Sequence, residues 1–126
     1  MRCFKTRHFA RWFRKTGLSD ALLCQTVDEM RKGLIDANLG GGVVKKRIVL
    51  PGKGKSGGAR TLVATNKRDR WFFLFGFEKN VRANITAEEL QGLRIIAGQL
   101  LGMTPGQLDE AVRDGSLQEI CYEQQK

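Results

Sequence analysis

Glycine and lysine alternate in Pro51-Gly52-Lys53-Gly54-Lys55-Ser56-Gly57-Gly58, and Ala59-Arg60 follow at once. Glycines keep side chains out of the way, so a bulky polyanion can approach backbone N–H groups and two ammonium groups together. Arg60 then begins a run that reads as a strand. A guanidinium held on a rigid element is a good two-pronged clamp for phosphate. A second cluster, Glu78-Lys79-Asn80-Val81-Arg82-Ala83-Asn84, follows an aromatic run. If the two strands pair across a turn at 66–69, Lys79 and Arg82 approach Arg60 and one basic site results.

The Gly-Lys-Ser step invites comparison with a phosphate-binding P-loop, and the comparison fails twice. A P-loop needs glycine where this chain has Val49, and a helix where it has two glycines and a strand. Nucleotide hydrolysis is therefore not expected. Conventional catalytic sets are also missing: the sole histidine, His8, reads as structural, and no Ser/His/Asp set or carboxylate pair assembles. Cleavage of RNA by its own 2′-OH needs no protein nucleophile. It needs orientation, stabilisation of a phosphorane-like transition state and proton transfer. Clustered positive charge lowers a lysine's pKa, so Lys53, Lys55 or Lys79 can move the proton.

The charge distribution points the same way. The chain has 126 residues and a net charge of +9. From Lys45 to Arg82 there are eleven Lys or Arg against Asp69 and Glu78, a net +9; the remainder carries eleven of each sign. Such a patch concentrates phosphate, and nucleic acid is the expected partner. Cys3, Cys24 and Cys121 are widely spaced with no Cys-x-x-Cys pair, and are expected to be small buried hydrophobes, with neither disulfide nor zinc site. No metal or cofactor is expected. No signal-peptide pattern opens the chain, and the longest apolar run, Trp71 to Phe77, is too short to span a bilayer, so a soluble, cytoplasmic protein is expected.

The elements that must position these groups can be read from periodicity and caps. Residues 2–5 suit a short strand; Thr6 caps a helix to about Lys15, with Phe9 and Phe13 one turn apart. Ser19 opens a second helix whose buried stripe is Leu23, Val27, Met30 and Leu34, and Asn38 to Gly42 close the helical part. Three strands follow at 43–50, 59–65 and 70–77. The last is apolar on both faces, so it suits a central, doubly covered strand better than a base-stacking platform. Thr86-x-x-Glu89 and Thr104-Pro105-x-Gln107 open two further helices, stapled by Ile85/Leu90 and Met103/Leu108. The implied architecture is α+β: an N-terminal helical hairpin on a small, mostly antiparallel sheet, with an additional C-terminal helix.

The stretch from Arg47 through Gly52-Lys53-Gly54-Lys55-Ser56-Gly57-Gly58-Ala59-Arg60, the strand ending Phe75-Gly76-Phe77-Glu78-Lys79, and Asn84-Ile85 before Glu88-Glu89-Leu90 resemble RelE/HigB-type toxins of type II toxin–antitoxin systems. The resemblance covers about residues 1–102, leaving 103–126 as a C-terminal helical extension of the same domain. It implies a microbial RNase-like fold and a ribosome-dependent mRNA endonuclease leaving 2′,3′-cyclic phosphates. It also implies an antitoxin, of the helix-turn-helix kind in HigB-like systems, and a free toxin expected to be monomeric. Carried over, Arg60 is the transition-state arginine, with Lys79, Arg82 and Lys55 as catalytic partners. Lys45, Lys46, Arg47, Lys53 and Ser56 are expected to bind RNA. Many relatives carry Tyr or His just after the basic pair, where this chain has Asn84 and Ile85, so the general base stays unassigned. Alternatives are a ParE-like toxin that inhibits DNA gyrase, or a non-catalytic nucleic-acid-binding regulator.

Overall fold

The computed structural model describes residues 1–50 and 58–121. The elements run β1 (Arg2–Thr6), α1 (Arg7–Arg14), α2 (Asp20–Arg31), β2 (Ala37–Gly40), β3 (Val43–Ile48), β4 (Ala59–Thr65), β5 (Arg70–Glu78), α3 (Ala87–Leu101), α4 (Pro105–Arg113) and β6 (Leu117–Ile120). All six strands form one sheet in the order β2-β3-β4-β5-β1-β6. Only β1 with β5 is parallel; the other pairs are antiparallel, as expected.

β5 is the strand on which the fold is organised. It lies between β4 and β1 and is covered on both faces: its side chains alternate between two cores from Trp71 to Leu74, and a register shift opposite Leu62/Val63 then keeps Phe75 and Phe77 on the Leu62 side. Trp71 and Phe73 join Phe9 and Phe13 of α1, Leu23, Val27 and Met30 of α2, and Val44 and Val63 of the neighbouring strands. Phe72, Leu74 and Phe77 join Phe4, Val43, Leu62, and Leu93, Ala97 and Leu100 of α3. α1 and α2 thus share one face, and α3 and α4 the other. A mixed α/β layering results.

The local start signals operate as their chemistry predicts. Thr6 accepts from Phe9 N–H to cap α1. Thr86 with Glu89 and Thr104 with Gln107 form reciprocal capping boxes, and Pro105 occupies the first turn of α4. Ser19 stands at the N-cap of α2 without a side-chain hydrogen bond. α3 has no basic residue in its last turn; instead Arg70 Nη1 donates to the carbonyls of Leu101 and Met103.

Several expectations are corrected. Asn38 to Gly42 do not close the helical part: Ala37–Gly40 is strand β2, which turns through Gly41-Gly42 into β3. Both turn residues have positive φ (63° and 85°), the conformation that matches a two-residue hairpin to the twist of its strands. α2 ends at Arg31, so Leu34 falls beyond the buried stripe and is 57% exposed. The segment expected as a helical extension forms α4 and then strand β6, which pairs with β1 at the sheet edge. That return brings Cys121 to α2, where it is bonded to Cys24; the expectation of unbridged cysteines fails because the pair is 97 residues apart in sequence. Cys3 remains a free, buried thiol in the same core. Burial pushes its pKa up to about 12.

Candidate active site

The β3–β4–β5 ladder brings the basic residues together in rows. Arg47 lies opposite Arg60, and Arg60 opposite Phe77; one step along, Lys45 lies opposite Leu62, and Leu62 opposite Phe75. Directly opposed residues share a face. Leu62 and Phe77 belong to the α3 core, so Arg47, Arg60 and Lys45 emerge on that side. Lys46, between Lys45 and Arg47, points the other way: its Nζ is 3.0 Å from Glu29 of α2 and the residue is buried. Its expected place beside the other RNA-binding cations is therefore not what the pleat allows.

Arg60 is half-buried, and its Nη1 is fully buried without a hydrogen-bond partner. Neither Arg60 nor Arg47 takes part in an ion pair among the described residues. A buried, unanswered guanidinium N–H is costly, and an anion that accepts from it recovers that cost. This is the property a phosphate clamp needs.

Arg82 reaches the same place by another route. Its guanidinium carbon lies 5.4 Å from the ring centroid of Phe77 and 5.7 Å from that of Phe75. Phe77, on which Arg82 lies, is also the cross-strand partner of Arg60. Unlike Arg60, Arg82 is held: it binds Glu89 through both Nη atoms, and its Nε donates to the Asn84 carbonyl at 3.1 Å. Glu89 in turn accepts from Thr86 N–H at 2.9 Å, so the capping box of α3 anchors the arginine. The Arg82 side chain is the main reason the Glu89 carboxyl sits low, at about 2, and Glu89 raises the Arg82 pKa reciprocally.

Lys79 is exposed, and its backbone N–H donates to Gly58 O at 3.1 Å, extending the β4–β5 pairing to the root of the 51–57 segment. Lys53, Lys55 and Ser56 lie outside the described residues. Among the described residues, no group of three or more His, Cys, Asp or Glu converges as a metal would require.

Three participants were not foreseen. Glu89 was read only as half of a capping box, although its carboxylate also holds Arg82. Phe75 and Phe77 were read as core, yet Arg82 stacks on both. His8 was set aside as structural, yet its exposed ring stacks on Phe75 with centroids 5.3 Å apart. The six-strand α/β sheet thus carries Arg47 and Arg60 in one row, with Arg82 stacked on Phe77 at the end of that row.

A sequence model of the family described as the RelE toxin of the RelE/RelB toxin–antitoxin system matches residues 1–120, and the chain belongs to that family. The match runs through β6, beyond the expected limit near residue 102. A search of curated proteins finds no match to the chain. Family membership makes this a toxin of a toxin–antitoxin system, with an antitoxin as its partner; toxins of the family are generally endoribonucleases. Among the described residues no helix is long and apolar enough to cross a membrane.

Proposed function

We propose that the chain cleaves mRNA on the ribosome and so inhibits translation, in the cytoplasm, until a cognate antitoxin of the helix-turn-helix kind neutralises it. The observation that carries this reading is Arg60: a strand-borne guanidinium with a buried, unpartnered N–H, in line with Arg47 and cross-strand from Phe77, on which Arg82 stacks. In the reaction, the 2′-oxygen attacks the adjacent phosphorus and the 5′-oxygen leaves, giving a 2′,3′-cyclic phosphate. Arg60 receives the charge that develops on the non-bridging oxygens, where preorganised donors act most strongly. Arg82, stacked on Phe75 and Phe77 and steadied by Glu89, supplies a second positive group.

Lys79, whose backbone N–H donates to Gly58 O beside the 51–57 segment, and Lys55 in the sequence of that segment carry the proton in this reading. Lys53, Ser56, Lys45 and Arg47 hold the RNA strand. Lys46 is left out of this role, being held by Glu29 on the opposite face. Residues 103–126 belong to the same toxin domain, and the free toxin is a monomer.

Primer extension on total RNA after brief expression tests the reading. Codon-phased cuts in translated messages are the expected result. Absence of cuts together with induction of the DNA-damage response would replace it with gyrase inhibition, and absence of any growth defect with a non-catalytic regulator.

A further inference from the structure

Between α1 and the chain leaving β5 runs a groove of about 340 Å3, bounded by Arg11, Trp12 and Lys15 on one side and by Phe75, Phe77 and Arg82 on the other. That volume lies in the range of small-ligand sites. Gly76 makes the groove's aromatic wall possible: a Cβ there would lie 2.3 Å from the Trp12 ring, so only glycine lets the indole lie against the strand. His8 continues the wall by stacking on Phe75.

The groove's charge is one-sided. Residues 1–19 contain six Lys or Arg and no acid, and Arg11 and Lys15 take part in no ion pair among the described residues. Among the described residues Glu78 is the only carboxylate on the lining, against Arg11, Lys15 and Arg82. Aromatic faces flanked by unpaired cations suit stacked bases and their phosphates, the combination by which single-stranded nucleic acid is bound without sequence readout. An acidic peptide would use the cations and leave the aromatic wall without a matching partner. Arg82 is the hinge of the argument, because it borders this groove and also meets Arg60's row at Phe77.

We propose that this groove is a second RNA subsite, seating the nucleotide next to the one cleaved, with its base against the half-buried rings of Trp12 and Phe75 and its phosphate between Arg11 and Lys15. The inference rests on the RNA-cleaving reading above and extends it to α1. It also gives the catalytic site a direction: the strand passes from Arg47 and Arg60 across Phe77 and Arg82 towards α1.

The test uses the full chain and a fluorescein-labelled, eight-nucleotide, fully 2′-O-methylated single-stranded RNA, which cannot be cut by 2′-OH attack. Anisotropy titrations across a range of salt compare the wild type with Arg11→Ala/Lys15→Ala, and with Arg11→Lys/Lys15→Arg as the charge-preserving control. Loss of two phosphate contacts makes the slope of log K against log salt shallower by about 1.4. The expected result is that change with roughly tenfold weaker binding at moderate salt, an unchanged thermal midpoint, and rescue in the control. Unchanged affinity and slope in the double alanine variant would overturn the subsite, as would no binding of the probe by the wild type. Ribosomal cleavage by the same proteins separates the two claims. Salt-sensitive binding through α1 without cleavage sinks the nuclease reading and keeps the subsite, whereas cleavage with no α1 effect does the reverse.

Discussion

Four cations of the sheet strands, two on each face, are treated in opposite ways. On the α1/α2 face, Lys5 and Lys46 are buried and each meets a carboxylate: Asp20 at 2.7 Å and Glu29 at 3.0 Å. On the α3 face, Arg47 and Arg60 lie in line on β3 and β4 with no ion pair among the described residues, and Arg60 Nη1 is buried without any partner. Burial of charge is tolerated where it is paired, so the first arrangement is that of a stable core. The second leaves a donor unanswered inside the protein, at a cost in stability that an anion accepting from it would recover. Position in the pleat decides which role a lysine or arginine takes, and adjacent residues of β3 take different ones.

The largest effect expected on this contrast concerns the closed face. Cys24–Cys121 ties α2 to the end of the chain just after β6, closing a loop of 97 residues, and a bridge of that kind contributes on the order of 2–4 kcal/mol. Cys24→Ser/Cys121→Ser should lower the thermal midpoint by several degrees, and reductant should do the same to the wild type, with RNA cleavage per folded molecule unchanged. Cys3, with its thiol at about 12, should resist alkylation in the folded protein and react on denaturation. Rapid labelling of Cys3 in the native state would show that this core is open.

A smaller effect separates neighbours. Lys46→Gln removes the partner of Glu29, which is itself half-exposed, so it should cost at most about 1 kcal/mol and leave cleavage unchanged. Arg47→Gln should spare the thermal midpoint and weaken RNA binding several-fold. The reverse pattern would mean that the two faces have been assigned the wrong way round.

The smallest effect is electrostatic. Glu89 has a depressed pKa when folded, so its contribution is present above its unfolded value near 4.5 and is lost as pH falls from there towards 2. Glu89→Gln should flatten the stability profile in that window and leave it unchanged at neutral pH apart from a constant offset. Both groups of the pair are partly exposed, so the change should be a shallow slope that shrinks with salt.

Much of this architecture was legible because it is local. Thr86 with Glu89 and Thr104 with Gln107 announce helices through contacts three residues apart, and the run from Trp71 to Phe77 announces a doubly covered strand by its composition. β2 was missed because Asn38-Leu39-Gly40 reads as a helix stop, although Gly41-Gly42 before a β-branched run is also a hairpin turn. β6 has four residues, Leu117 to Ile120, and exists through its pairing with β1, which no local pattern records. The same holds for the cysteine bridge.

For the site, the alignment of Arg60 with the end of β5 followed from counting residues across the 66–69 turn. Which of Lys45, Lys46 and Arg47 share its face did not, because alternation separates them into two sets without saying which set meets α2. The basic edge of α1 was hidden by summing charge outside the 45–82 window, where the six cations before Asp20 are offset by acids elsewhere in the sequence. Glu89's hold on Arg82 needed the turn between β5 and α3 to be seen closed.

The central claim is that Arg60 waits unpaired for a phosphate, and ribosomes programmed with a defined message test it most directly. Purified wild-type chain and Arg60→Ala would be compared in single-turnover cleavage, with the thermal midpoint measured on the same samples. The account predicts a loss of about 10²–10³-fold in the cleavage rate with a folded protein whose midpoint is equal or higher, since a buried unsatisfied donor has been removed. Cleavage at the wild-type rate by a folded Arg60→Ala protein would contradict it.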